Sequence, residues 1–493
     1  MPARTRRDFL ISTACAGAAA TLPMRARARP DTRPNIVVIV VDDMRFDEYG
    51  AGGHPYLETP HIDALAASGA VFTNAYHTTP LCSPNRASIL TGQYASLHGI
   101  IDNTSRGHAS HKLRTYAREL QQAGYETAHI GKWHMGHDAS PRPGYDYWVS
   151  FAGQGRSVNP ELYEEGRLHE VKGYTTDLFT DRAIAFATRN RSRPFALYIG
   201  HKAVHPDIQQ REDGSLDTSS NEGFVPAPRH RGRYAGRRFP RRPNFGLTAA
   251  ERQAKPVVAA ALDERQSPQN LAYFGRPDAD TTDEAIQARA EMMLAVDEGV
   301  GRLVEALRSQ SLLENTLFVF MSDNGSFFGE HGLGVERRLA YEESIKCPLI
   351  VAQPGVIEPG LRIEPFTLSI DIAPTLLDAA GLKPPSRMQG RSAMPLLRGQ
   401  STPWRDAFLV EYYAHEVPLP WTAMLDYRAV RMGQYKLIRW IRNDDAAELY
   451  DLQADPYERR NVIANPAYAK VAAAARKRLS SLVVESLGLV PPT

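Results

Sequence analysis

Two short polar pairs, Asp42-Asp43 and Asp323-Asn324, each follow an apolar run that reads as a buried strand. In an open α/β sheet, ligands gather at the carboxyl ends of the strands, where these pairs would sit. Together they offer three carboxylates and an amide oxygen, a donor set suited to Ca²⁺ or Mg²⁺ rather than zinc. Either pair alone is equally compatible with capping a helix or closing a turn. A third segment, Cys82-Ser83-Pro84-Asn85-Arg86-Ala87-Ser88-Ile89-Leu90-Thr91-Gly92, sets a cysteine just ahead of a helix, with Pro84 suited to its first turn. A helix N-terminus with the Arg86 guanidinium one turn inside makes an electropositive pocket for an anion or a thiolate. The alternative for Cys82 is a small buried hydrophobe. His205, in Ala203-Val204-His205-Pro206, follows another strand-like run and suits either proton transfer or a structural role.

The elements that must position these residues are legible as periodicity. Asn35 to Val41 is a continuous β-branched run, the mark of a strand buried on both faces of a parallel sheet. Similar runs recur at Phe195 to Ile199, Leu317 to Met321 and Leu349 to Ala352, separated by helical patterns at Leu113 to Ala123 and Ile286 to Leu307. Strands alternating with helices predict a wound α/β sheet covered on both faces. Residues 205–280 form a polar, Pro- and Arg-rich insertion, with seven Arg and no acid in Arg229 to Arg242. An irregular stretch of that length is usually functional or disordered. After Lys383-Pro384-Pro385 the texture changes again: strands are expected at Ala407 to Tyr412, Tyr427 to Met432 and Tyr435 to Ile441, and a helix at Ala467 to Leu487. This predicts a catalytic domain over 29–383 and a small C-terminal α+β subdomain over 384–493.

Composition narrows the function classes. The 493 residues carry 58 Lys+Arg against 56 Asp+Glu, so the chain has no general electrostatic case for nucleic acid as a partner. Three cysteines, Cys15, Cys82 and Cys347, are too few for a disulfide framework. Thr5-Arg6-Arg7-Asp8-Phe9-Leu10 sets a twin arginine before a modest apolar stretch, and Ala26-Arg27-Ala28 suits signal cleavage, so residues 1–28 read as a twin-arginine signal peptide. The stretch is too short to span a bilayer, and no transmembrane segment is expected. The leader holds five Arg and one Asp, leaving 53 basic against 55 acidic residues after it. A lipid anchor at Cys15 is not expected, because Ser12-Thr13-Ala14 lacks the leading aliphatic residue. The predicted destination is the periplasm, reached through the twin-arginine export machinery.

The segment from Cys82 to Gly92 resembles the type I sulfatase signature, C-x-P-x-R followed by A-S-x-L-T-G. The likeness extends along the mature chain in order: Asp42-Asp43 after the first strand, Gly131-Lys132-Trp133-His134, Ser322-Asp323-Asn324-Gly325, Tyr341-Glu342-Glu343-Ser344-Ile345-Lys346, and Glu448-Leu449-Tyr450-Asp451-Leu452 with Asp455-Pro456. The resemblance implies an alkaline-phosphatase-like fold with a large mixed, mostly parallel sheet sandwiched by helices. It implies that a maturation enzyme oxidises Cys82 to Cα-formylglycine, and that Asp42, Asp43, Asp323, Asn324 and the modified Cys82 hold one Ca²⁺. In the implied reaction one hydroxyl of hydrated formylglycine attacks sulfur, the alcohol leaves, and deprotonation of the second hydroxyl expels sulfate. Arg86 would hold the formylglycine oxygen, Lys132 would pair with sulfate, His134 would be the base and His205 the acid.

One position departs from the family. A lysine that grips sulfate is common four residues before the Tyr-Glu pair; here it is Arg337, a planar fork rather than a compact ammonium. Lys346 stands where arginine is common, and Cys347 is expected to pack. The insertion, His98-Gly99, Asp102-Asn103 and Tyr145 to Phe151 are candidates for a substrate wall, since Arg and aromatic rings suit a sulfated sugar. A solvated basic loop is the alternative. The expected function is hydrolysis of sulfate esters on a sulfated carbohydrate. Competing readings are a phosphonate monoester or phosphodiester hydrolase using the same formylglycine, and a catalytically silent glycan-binding protein.

Overall fold

All seven residues of Asn35–Val41 (β1) are buried, because the strand has neighbours on both edges and cover on both faces. The computed structural model describes residues 32–488, apart from 105, 214, 218–221, 269, 271–280, 335 and 415–419. The leader reading over 1–28, Cys15 included, and the end of the insertion therefore lie outside the described residues. Across an eight-stranded sheet the order is β8 (Leu361–Ile363), β2 (Ala70–Phe72), β7 (Leu349–Ala352), β6 (Thr316–Ser322), β1, β5 (Phe195–Gly200), β3 (Glu126–Gly131) and β4 (Tyr147–Val149). Only β7 runs against its neighbours; the other pairs are parallel. This is the mixed, mostly parallel sheet expected.

Alternation along β1 assigns its two faces. Ile36, Val38 and Val40 share a core with α1 (Cys82–Thr91), α2 (Tyr116–Gln122) and α5 (Ile372–Ala379), whereas Val37, Ile39 and Val41 share another with α3 (Thr175–Ala187) and α4 (Asp283–Ser309). The sequence pattern started α2 at Leu113. It starts at Tyr116 because Leu113 has extended ψ and the Thr115 hydroxyl accepts the Arg118 N–H. In register, Val41 faces Ser322, Val40 faces Gly200, and Gly131 faces Gly200. Strands β6, β1, β5 and β3 thus end side by side. A Cβ on Gly131, whose φ is +111°, would lie 2.1 Å from the Gly200 carbonyl oxygen, so glycine is required for this close approach.

Strands β9 (Ala407–Tyr412), β10 (Tyr427–Met432), β11 (Tyr435–Trp440) and β12 (Glu448–Asp451) form an antiparallel meander. The three expected strands are joined by a fourth, β12. Helix α6 (Ala469–Ser486) shares a core with it, through Leu479 and Leu482. The same core takes in Tyr76, Leu81, Tyr341 and Ile345, and the described residues from Thr32 onward form one compact unit. Insertion arginines are tied to carboxylates of the α/β body: Arg229 to Asp177 and Glu298, Arg241 to Asp283, and Arg242 to Asp47 and Glu343. Among the described residues no helix is long and apolar enough to cross a membrane.

Candidate active site

The four adjacent strand ends deliver the chemistry foreseen from the sequence. Asp42-Asp43 leaves β1, Asp323-Asn324 leaves β6, Lys132 leaves β3, and His205 follows β5 by one loop. Cys82 enters from the first turn of α1, a helix whose ten residues are all buried. The set is knitted together across long sequence separations. The Asp43 N–H donates to Asp323 Oδ1 at 3.0 Å, the Asn324 amide nitrogen donates to Asp43 Oδ1 at 2.6 Å, and Cys82 Sγ lies 3.9 Å from the same oxygen.

Four cations and potential cations surround these acids. Arg86 donates Nε to Asp323 Oδ2 at 2.8 Å and Nη1 to the Lys132 carbonyl at 2.9 Å, with Nη2 3.7 Å from Asp42. Lys132 Nζ pairs with Asp42 and donates to Gln154 Oε1 at 2.5 Å. Arg337 Nη1 lies 3.1 Å from Asp43 Oδ2, and its Nη2 lies 3.2 Å from His205 Nε2. His205 Nδ1 is 2.7 Å from the Pro206 carbonyl, which can only accept. The proton therefore sits on Nδ1, and Nε2 is the acceptor for Arg337.

Electrostatics distinguish the carboxylates. Burial works against the charge of Asp42, but Lys132 and Arg86 outweigh it and hold its pKa well below the usual range. Burial and the neighbouring Asp42 push Asp323 up to about 7, and burial also raises Asp43 against the pull of Arg337. Burial raises the Cys82 thiol as well, so the unmodified side chain is not a thiolate. Burial and Lys132 hold His205 well below its ordinary value, keeping it neutral.

The donor set fits a hard cation. Asp42 Oδ1, Asp43 Oδ2 and Asn324 Oδ1 are buried without a hydrogen-bond donor, although the two carboxylate oxygens do face arginines. Buried oxygens left in this state are normally satisfied by water or an ion. Asp42, Asp43 and Cys82 also place ligand atoms within 4.8 Å of one another. The oxygens of Asp323 are already engaged, by the Asp43 N–H and by Arg86, so its share in such a site is the most contested.

Asp42, Asp43, Cys82, Arg86, Lys132, His205, Asp323, Asn324 and Arg337 meet here, and the backbone of His134 is bonded to Ser83 beside Cys82, but the suggested substrate wall does not form as expected. Trp148, Val149 and Phe151 are buried in the two sheet cores, where Trp148 stacks on His129 at 4.4 Å, because β4 lies within the covered sheet. His98 is turned to the Ser88 hydroxyl, 3.0 Å away. Asp102 pairs with Arg106 at 2.8 Å, and Asn103 accepts the Ser83 N–H at 3.0 Å. Sequence reasoning missed Gln154 and Asn85, and it gave Asn103 to the substrate wall rather than to the head of α1. Asn85 donates to the Asp323 carbonyl at 2.5 Å and lies 2.9 Å from buried His77. Asn85 sits within the signature and could have been suspected; Gln154 lies in a loop with no marking pattern.

A mostly parallel sheet whose central strand ends converge on buried carboxylates, a cysteine at a helix N-terminus and a ring of cations defines an alkaline-phosphatase-like hydrolase. Comparison with known proteins agrees. The sulfatase family model matches residues 34–382, and a model of the N-sulphoglucosamine sulphohydrolase C-terminal region matches 329–485. An N-acetylglucosamine-6-O-sulfatase of Bacteroides thetaiotaomicron is 32% identical, over 92% of this chain and 86% of the relative. A structure solved in complex with its substrate D-glucosamine-2-N,6-O-disulfate superposes with a TM-score of 0.77 at 30% identity, covering 93% of this chain and 99% of the other. The phosphonate monoester hydrolase of Agrobacterium radiobacter shares the fold, with a TM-score of 0.70 at 24% identity over 92% and 96% of the two chains. The chain belongs to the sulfatase family, and it is a sulfuric ester hydrolase.

Proposed function

We propose that this enzyme removes sulfate from a sulfated carbohydrate, with a formylglycine made from Cys82 and one Ca²⁺ held by Asp42, Asp43, Asp323, Asn324 and the modified Cys82. The observation that carries this reading is the set of three donorless buried oxygens beside Cys82, ringed by Arg86, Lys132 and Arg337. The glycan assignment is supported by the two relatives above 30% or at 30% identity, whose names specify glucosamine sulfates.

Bound calcium would supply positive charge that polarises the sulfate oxygens, and hydrated formylglycine would supply an oxygen nucleophile in place of the thiol. The rest falls to the chain itself. Lys132 and Arg337 pair with the anionic sulfate, and Arg86 fixes the oxygen of the modified residue 82. The Arg337 fork also sets the orientation of His205, whose Nδ1–H is anchored on the Pro206 carbonyl. An anion between Lys132 and Arg337 offsets the cations that keep His205 neutral, so Nε2 can take up a proton and pass it to the leaving alcohol. His134 accepts the proton whose loss regenerates residue 82.

Residues 1–28 act as the twin-arginine leader that delivers the enzyme to the periplasm, with 29–383 as the catalytic domain and 384–493 as the C-terminal subdomain. A formylglycine-generating enzyme and the export machinery are its partners in maturation.

The decisive measurement is turnover of aryl sulfate and aryl phosphodiester by protein whose residue-82 peptide has been weighed. A peptide lighter than the cysteine form and a large preference for the sulfate ester are expected. Preference for the diester would overturn the sulfate reading. Cys82→Ala is expected to abolish turnover with its thermal midpoint retained; full activity in that variant would overturn the nucleophile assignment.

A further inference from the structure

Within the site, His134 adopts φ +64°, a left-handed conformation that side-chain-bearing residues rarely take. Such a backbone persists where its surroundings hold it, and it commonly marks a functional constraint. Here the holding contact is specific. The Ser83 hydroxyl donates to the His134 carbonyl oxygen at 2.6 Å, and both residues are buried. Ser83 is itself fixed: its N–H, one of the first-turn donors that a helix leaves unpaired, is taken by Asn103 Oδ1 at 3.0 Å. The residue at the head of α1, Leu81, supplies no side-chain cap, so Asn103 supplies that bond from a separate loop. One hydroxyl, on the residue next to Cys82, therefore joins the nucleophile helix to the backbone of His134.

We propose that Ser83 is a positioning residue that holds His134 in its left-handed conformation and so fixes the imidazole relative to residue 82. The inference rests on the reading of His134 as proton acceptor. Without the hydroxyl the buried His134 carbonyl loses this bond to α1, and residue 134 can relax toward an ordinary backbone conformation. A displacement near 1 Å at a proton-transfer group is enough to cost on the order of a hundredfold in rate.

The test is a double-mutant cycle on full-length converted enzyme with 4-nitrophenyl sulfate as substrate, every rate expressed per mole of formylglycine measured by peptide mass. Ser83→Ala is expected to lower kcat about tenfold with KM within about twofold, because the loss falls on proton transfer rather than on binding. Its thermal midpoint is expected within a few degrees of the parent. Ser83→Thr, which keeps a hydroxyl donor, is expected to recover most of the turnover. In the His134→Ala background the Ser83→Ala loss is expected to vanish. An unchanged kcat in Ser83→Ala, or the same loss with and without His134, would overturn the positioning role. Full activity of His134→Ala by itself would instead overturn the proton-acceptor reading, so the two failures are distinguishable.

Discussion

At the scale of single residues, the site sets three buried carboxylates against three cations, Arg86, Lys132 and Arg337, and still leaves three buried oxygens without a hydrogen-bond donor. Asp42 is neutralised by Lys132 and Arg86, but Asp323 is pushed up to about 7 by burial and by Asp42. Asp323→Ala is expected to lose both bound calcium, read by elemental analysis, and most activity. Calcium content equal to the parent's would show that Asp323 serves Arg86 rather than the metal, the alternative its hydrogen bonds leave open. This part of the site was legible because each acidic pair is contiguous and directly follows a buried strand. Gln154 was not, since chain folding brings it to Lys132 from a loop that carries no periodicity, and Asn103 was noticed only as a candidate for the substrate wall. The aromatic stretch around Trp148 misled for a related reason: composition cannot tell a ring in a core from a ring on a wall.

At the scale of elements, β1, β5, β6 and β7 could be read from β-branched and apolar runs; β3, which leads to Lys132, could not, and neither could the short strands β2 and β8. Three residues carry too little pattern, and their pairing is fixed by β7 and by each other. The four-stranded meander is attached to the main body by a buried charge network. Lys436 on β11 reaches Glu342 and Glu458, each at 2.8 Å, and donates to the Ala340 carbonyl at 2.8 Å. Nearby, Lys255 Nζ lies 3.0 Å from His331 Nδ1 and 4.4 Å from the centre of the Tyr341 ring. Lys436→Met is expected to destabilise the fold by about 3–5 kcal/mol, because two buried carboxylates lose their partner. Urea unfolding measures this; a midpoint equal to the parent's would mean that Arg431, 3.9 Å from Glu342, takes over the charge.

At the scale of the whole molecule, acid stability follows from buried imidazoles. Besides His205, seven histidines are driven down by burial: His54, His201 and His331 to about 4, His77, His98 and His129 to about 3, and half-buried His137 as well. Their folded values lie below the unfolded value near 6.5, so their contribution is complete above pH 6.5 and is lost as the pH falls toward 4. Each contributes up to about 1.4 kcal/mol per pH unit in that window. Five raised carboxyls, Asp297 to about 6, Asp323 and Glu458 to about 7, and Asp43 and Glu411, both lifted by burial, work in the opposite sense but are fewer. The unfolding midpoint is therefore expected to fall steadily from pH 6.5 to 4.5. A midpoint that stays level or rises over that range would contradict neutral burial of these rings.

The burial of α1 along its entire length has a consequence in time rather than in space. A maturation enzyme, on the proposed reading, has to grip the chain around Cys82, and all ten residues of α1 are buried. In the finished fold that grip is impossible, because the signature is wound into a helix with protein on every side. On the proposed reading, oxidation of Cys82 comes first, folding second and passage through the membrane last, and a chain that folds too early is locked out of its own activation.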